Sequence, residues 1–421
     1  MTPIIDRKLW LNKLGKGHQH SSRVVVLAMI LVAGLMVGAI AGLMVQIGST
    51  GGPRLPEPFA RTPLGILYVT HSPIYISGNA EFTLSNGVSS GTGAASDPYI
   101  IADWDINAST ATGIYIENTD AHFTVRNCYI HYGASYNDDG IDLDNCVNGT
   151  LQNNICSDDV AGIYLILSSN NTVINNTCLG SLTNGISTYS SSNNTLFNNT
   201  CSSNKVYGMF ISQSSNNNTI DSNNCSSNTN NGIFLYASSN NTLVNNNCSS
   251  NDQRGIYLDA ESHDTLSSNN VSGNAAEGIY IDSSSNNVVT WNQLYDNSGI
   301  GVIIAPGSSS NLITHNTFIG NNGAGSTYDS IHIQAWADET SNWWNSTDGH
   351  GNYWSDWTTP DANHDGIVDL PYVIGGGTGA KDHYPLTTVQ QIPEVGTMPL
   401  VAIVLLAMIV LTTEGKRRKA H

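Results

Sequence analysis

"GIYLILSSNNTVINNTCLGS" (residues 162–181) is answered by "GISTYSSSNNTLFNNTCSSN" (residues 185–204), with glycine, asparagine and cysteine at matching places. The glycine recurs at Gly162, Gly185, Gly208, Gly232, Gly255, Gly278 and Gly301, every 23 or 24 residues. A second column runs Asn171, Asn194, Asn218, Asn241, Asp264, Asn287 and Asn311. A third, seven residues further on, runs Cys178, Cys201, Cys225, Cys248, Val271, Leu294 and Phe318. Looser turns start at Gly113 and Gly140, which puts Cys128 and Cys156 in the third column. Each period holds three short apolar alternations broken by Asn, Ser and Gly. In "GIYL", Ile163 and Leu165 face one side and Tyr164 the other, by strand alternation. Three strands of four or five residues with three turns consume about 23 residues, one coil of a parallel β-helix. A helical solenoid needs a 3.6-residue period, and a propeller blade needs about 40–45 residues. The fold expected is an all-β parallel β-helix of about nine coils.

The Gly and Asn columns read as turn positions that reach positive φ at low cost. Asparagines in successive coils can also bond to one another as a ladder. The cysteines read as core. In-register strands hold equivalent Cβ atoms near 4.8 Å, roughly 1 Å wider than a disulfide wants. A stack of free thiols is therefore expected at residues 156, 178, 201, 225 and 248.

Charge is unevenly placed. Of 33 acidic residues, all but Asp6, Glu394 and Glu414 lie in residues 48–393, against only Arg54, Arg61, Arg126, Lys205, Arg254 and Lys381. Such a surface excludes nucleic acid as a partner, because phosphate binding needs clustered Lys and Arg. Val24–Ile47 is long enough to span a bilayer. A second apolar run over 395–413 ends in "KRRK". Basic flanks on both runs place both termini in the cytoplasm and the acidic middle outside. The organisation expected is a cytoplasmic tail (1–23), an anchor (24–47), a linker (48–66), the β-helix (67–322), a Trp-rich cap (323–386) and a stalk (387–394). A C-terminal membrane segment or sorting signal (395–413) and a basic tail (414–421) follow.

The repeats resemble those of the pectin-lyase-like superfamily, and the ends resemble NosD-type β-helix proteins of archaeal surfaces. "GTGAASDPYIIADWDINA" (91–108) looks like that family's entry into the first coil, and "GNYWSDWTTPDANHDGIVDLPYVI" (351–374) like its closing motif. The resemblance covers about residues 70–386 and implies right-handed coiling. It implies less about function, although the family includes a copper-enzyme accessory protein.

Four site readings follow from the residues. An outward aromatic column (Tyr115, Tyr164, Phe210, Phe234, Tyr257, Tyr280) suits stacking on sugar rings, or mutual packing that only stabilises the sheet. Two positions further lies a broken acidic column: Glu117, Asp144, Asp259, Asp282. Asp259 and Asp282 stand on successive coils, about 5 Å apart, a separation that suits a retaining glycosidase pair. Arg254, Glu261 and His263 share their coil. In "DANHDGIVD" (361–369), Asp361, Asn363, Asp365 and Asp369, with the Ile367 carbonyl, have the spacing of a calcium loop that lacks its twelfth-position acid. Copper is disfavoured, because the Cys ladder points inward, Met209 is the only methionine in residues 48–393, and His332, His350, His364 and His383 have no ligand spacing. Asn-x-Ser/Thr sequons recur from Asn107 to Asn345, so an exported chain would be a glycoprotein where these asparagines face outward.

The sequence thus points to a membrane-anchored, extracellular scaffold, adhesin or glycan-binding module. A polysaccharide hydrolase or lyase using Asp259 and Asp282, and a NosD-like copper accessory, are the alternatives. Nothing in the sequence sets an oligomeric state.

Overall fold

The computed structural model describes residues 68–133 and 138–389. Through them the chain winds in stacked coils, and a regular coil gives one strand to each of three faces. The first face is an eleven-stranded sheet from Ile74–Ser77 to Ala335–Ala337. The second, also eleven-stranded, runs from Val88–Ser90 to Leu312–Thr314. The third is a six-stranded block, Val69–His71 to Thr200–Ser202, and a four-stranded block, Asn270–Ser272 to Tyr353–Trp354. Single parallel bridges through Asn224 and Asn247 join the two blocks. About nine regular coils lie between irregular ends. Successive coils pair in parallel, and antiparallel pairs occur only towards the two ends of the described residues: Val88–Ser90 with Tyr99–Ala102, and Tyr372–Val373 with Lys381–Asp382.

Strand alternation builds the core. Ile163 and Leu165 are buried while Tyr164 and Ile166 are half-buried. Ile141, Ile163, Ile186, Met209, Ile233, Ile256 and Ile279 stack in register. Each contributes about 1.5–3 kcal/mol on burial, but no coil can bury its own, so stability comes from stacking.

All seven cysteines are buried and free. Cys156, Cys178 and Cys201 are in strand register. Cys128 does not belong to that column. Ile130 pairs with Cys156 instead, and the Cys128 thiol points at the Arg126 carbonyl at 3.4 Å. The looser early coil displaces it by two residues, one full strand repeat on the same face.

The glycine column serves a different purpose from the one expected. These glycines do not have positive φ. A Cβ on Gly185 would lie 2.7 Å from the Cys201 Cβ and 2.7 Å from the Gly208 carbonyl oxygen, so lack of space selects glycine. The left-handed turn residues are Asn170, Asn193, Asn217 and Asn240, each one residue before the expected column. The column itself is buried and forms the ladder. The Asn171 amide donates to the Asn194 side chain at 2.8 Å, Asn194 to Asn218 at 2.7 Å, and Asn218 to Asn241 at 2.9 Å. A parallel ladder runs through Asn176, Asn199, Asn223 and Asn246. A third, not anticipated from the sequence, runs through Asn204, Asn228, Asn251, Asn274 and Asn297. Each satisfies backbone groups that the turns would otherwise bury unpaired.

The coils also run further than residue 322. Ala335–Ala337 pairs with Val302–Ile304, and Tyr353–Trp354 pairs with Thr317–Ile319. Asn342 and Asn352 extend the ladders. The segment expected as cap is thus one more coil with long excursions, closed by rings. Phe318 stacks on Trp354 at 4.2 Å, and Trp354 on Tyr372 at 4.0 Å. The expected membrane segments, 24–47 and 395–413, lie outside the described residues. Among the described residues no helix is long and apolar enough to cross a membrane.

Candidate functional site

The outer side of the first sheet carries both columns expected from the sequence. Their register is Tyr75, Tyr115, Asp142, Tyr164, Ser187, Phe210, Phe234, Tyr257, Tyr280, Ile303, Trp336. Asp142 and Ser187 therefore divide the rings into an N-terminal pair, a lone Tyr164 and a C-terminal group. Asp142 was missed by sequence reading. The signal was present, since "GIDL" (140–143) puts an aspartate where "GIYL" (162–165) puts tyrosine. The acidic column is likewise in two pairs, Glu117 beside Asp144 and Asp259 beside Asp282.

In the C-terminal group the rings pack on one another. Phe210 stacks on Phe234 at 5.1 Å, Phe234 on Tyr257 at 4.6 Å, and Tyr257 meets Tyr280 edge-on at 5.4 Å. Arg254 lies over this edge, 5.0 Å from the Tyr257 centroid and 4.3 Å from that of Tyr280, and pairs with Glu277 at 2.8 Å. Asp259 and Asp282 sit beside the rings, with the Tyr257 hydroxyl 3.5 Å from Asp282. Burial and then the Asp282 charge push the Asp259 carboxyl above its ordinary range. Burial, then Asp259 and Asp282, raise the Tyr257 phenol to about 12.

Glu261 does not join this group. It turns inward into a serine column (Ser191, Ser215, Ser238, then Glu261 and Ser284), where it is 2% exposed and accepts the Ser238 amide at 2.6 Å. Buried beside it is Asp264, the one acid in its asparagine ladder, and burial raises both carboxyls.

In the N-terminal group Tyr75 stacks on Tyr115 at 5.5 Å. Tyr75 donates to Glu117 at 2.5 Å, and Tyr115 donates to Asp144 at 3.3 Å. Two clefts flank Asp142. One, of about 540 Å³, is lined by Tyr75, Tyr115, Asp138 and Asp142; the other, of about 420 Å³, by Asp139, Asp142, Tyr164, Tyr189 and Phe210. Burial, with help from Asp139 and Asp144, pushes Asp142 up to about 8, and burial raises Asp139 to about 6.

Metal chemistry finds poor donors. Among the described residues no three of His, Cys, Asp and Glu converge as a metal site. The thiols and Met209 are sealed in the core, the wrong side for an exchangeable soft metal. Two imidazoles, His315 and His350, stack with ring centroids 5.5 Å apart. Copper does not fit this donor set. In the expected calcium loop the oxygens are turned onto the loop's own amides. Asp361 accepts Gly366 at 3.2 Å, Asp365 accepts Ile367 at 2.9 Å, and Asp369 accepts Ala362 at 2.8 Å. Asn363 accepts from Asp365 at 3.1 Å. The Asn363 and Asp365 bonds, each to the amide two residues on, are Asx turns, while Asp361 and Asp369 reach amides across the loop around Ile367 and the Asp361 Oδ1 is buried without a hydrogen-bond partner.

Comparison with known proteins agrees with this architecture. Residues 205–359 match the family described as "Periplasmic copper-binding protein (NosD)", and residues 74–247 match "Right handed beta helix region". The two matches together span residues 74–359 and support a right-handed parallel β-helix of NosD type. A "Probable ABC transporter binding protein NosD" of Stutzerimonas stutzeri is 37% identical over 73 residues, which is 17% of this chain and 14% of that protein. The match therefore spans about one-seventh of that relative's length. Among solved structures, the A-module of the Azotobacter vinelandii mannuronan C-5 epimerase AlgE6 is similar over 58% of this chain and 83% of its own, at 14% identity and a TM-score of 0.44. The Dettilon tailspike protein is similar over 65% and 63%, at 12% identity and a TM-score of 0.46.

Proposed function

We propose that the outer side of the first sheet is a glycan-binding surface of an exported β-helix protein. The apolar segments at 24–47 and 395–413 would tether it to a membrane, with the helix outside. The observation that carries the reading is the registered row of half-buried rings bordered by carboxylates. Ring faces pack on the apolar faces of sugars, and carboxylates accept from their hydroxyls. The face is long enough to follow several sugar units of an extended chain, since each coil advances about 4.8 Å.

A glycan array on the full chain, with a parallel assay for released reducing ends, tests this. Binding without products supports it. Absence of binding to every glycan removes it. A second reading, polysaccharide cleavage, is favoured by one observation: Asp259 and Asp282 are in direct register, with Asp259 held more basic than usual. It requires products that disappear in both Asp259→Asn and Asp282→Asn.

A further inference from the structure

Asp142 stands between two tyrosines, in register with Tyr115 on one side and Tyr164 on the other. Each step is about 4.8 Å. Asp142 is only 9% exposed, and its Oδ1 is buried with no hydrogen-bond partner. Both clefts meet at this residue. The titratable groups around it are Asp138 and Asp139 from the preceding turn, Asp144 from its own strand, and Tyr115 and Tyr164 from the strands on either side. None of them is a cation. Residues 68–204 contain one Lys or Arg, Arg126, and its strand Phe123–Arg126 belongs to the second sheet.

We propose that this cleft binds an ammonium group, presented by a glycan that contains free amino sugars. The proposal rests on the glycan-binding reading and names the chemical class. A buried carboxyl oxygen without a partner gains most from a cation that reaches it with hydrogens to donate. Two tyrosine faces beside it add cation–π attraction. An N-acetylated sugar has no charge to offer, and a polyanionic glycan would meet carboxylates of its own sign. A metal ion lacks a converging third ligand among the described residues. In the free cleft Asp142, raised to about 8, holds its proton at pH 7. An arriving ammonium favours the carboxylate, so the proton leaves Asp142 for the buffer and the ammonium keeps its own. Binding of an amine that is fully protonated at pH 7, as hexane-1,6-diamine is, should therefore release about one proton per site, and an amino sugar, whose amine titrates at about pH 7, a smaller fraction.

The test is calorimetry of the full chain at pH 7 in buffers of different ionisation enthalpy. Chitosan oligosaccharides, their fully N-acetylated counterparts and hexane-1,6-diamine are the probes. The expected result is binding of the free-amine oligosaccharide with proton release. Asp142→Asn should weaken it by at least about tenfold and abolish the proton release, while Asp296→Asn, just after the third-face strand Gln293–Tyr295, leaves both unchanged. A thermal melt of each variant confirms that it is folded. Equal binding of acetylated and free-amine oligosaccharides, or unchanged affinity and proton release in Asp142→Asn, overturns the ammonium site and leaves the glycan reading standing. Diamine binding with Asp142-dependent proton release, but no oligosaccharide binding, upholds the ammonium site and overturns the amino-sugar glycan as its ligand. No binding by any probe overturns the ammonium site, and the glycan array then decides the glycan reading.

Discussion

The two halves of the first sheet occupy the same lattice and treat charge in opposite ways. One residue before each column glycine, the N-terminal half has Asp139 and the C-terminal half has Arg254. Arg254 covers Tyr257 and Tyr280 and pairs with Glu277, so that half supplies its own cation. Asp139 adds a carboxyl beside Asp142, which has none, and that half stays charged-frustrated and open to the clefts. The difference teaches that a repeat protein can reuse one position as structural glue in one place and as a receptor in another.

The largest expected effect tests whether the halves are one folding unit. Asn199 lies in the ladder between them. Its side chain donates to the Val173 carbonyl at 2.9 Å and accepts the Asn176 amide at 2.9 Å. Asn199→Ala should cost about 3 kcal/mol, because buried partners are left unpaired. Urea denaturation followed by tyrosine fluorescence and by circular dichroism should still give a single coincident transition. Two separated transitions would mean that the halves unfold independently.

The next effect belongs to the C-terminal half alone. Glu261 and Asp264 are both raised by burial. A carboxyl whose folded pKa lies above its unfolded value stabilises fully only below the unfolded value, and that contribution is lost as pH rises through the folded one. Asp264→Asn restores the ladder residue and should add about 1–2 kcal/mol at pH 9 and much less at pH 4. Melting temperatures across that range check the sign. The same logic applies to Asp142 in the other half. Its penalty grows from pH 3.8 to about 8, a wider window than that of Asp264, so Asp142→Asn should gain at least about 2 kcal/mol at pH 9 and nothing at pH 3. A gain that is equal at both pH values would refute the buried-carboxyl account. The smallest effect is Arg254→Met, which removes a cation from two ring faces and an ion pair. It should cost about 0.5–1 kcal/mol at pH 7, with the loss shrinking in high salt. Unchanged melting would show that the guanidinium does not glue that half together.

Much of the fold was legible in the sequence. The twenty-three-residue period, the inward Ile, Leu and Cys columns and the paired Asp259 and Asp282 all follow from strand alternation. The site was legible in part. Tyr115 and Tyr164 were visible as ring positions, and Asp142 between them was readable from "GIDL" (140–143) but was missed because an aspartate breaks the aromatic column. Cys128 was assigned to the wrong column because the looser early coil shifts it by two residues. Glu261 and His263 share a coil with Arg254, but turn geometry sends Glu261 inward, and no spacing rule reveals that.

By itself, then, the sequence determined a parallel coil. A residue repeated at a fixed period meets its own kind one strand away, and only a stacked helix satisfies Ile, Cys and Asn columns together. The tertiary structure decided what the repeats are for. Coils of unequal length, such as the last one with its excursions after Asn321 and Trp344, fix which unlike residues become neighbours. Burial of Asp142 without a cation, and coverage of Tyr280 by Arg254, are properties of those neighbours. Desolvation and Coulomb energy depend on distances across the stack, which a linear pattern does not contain.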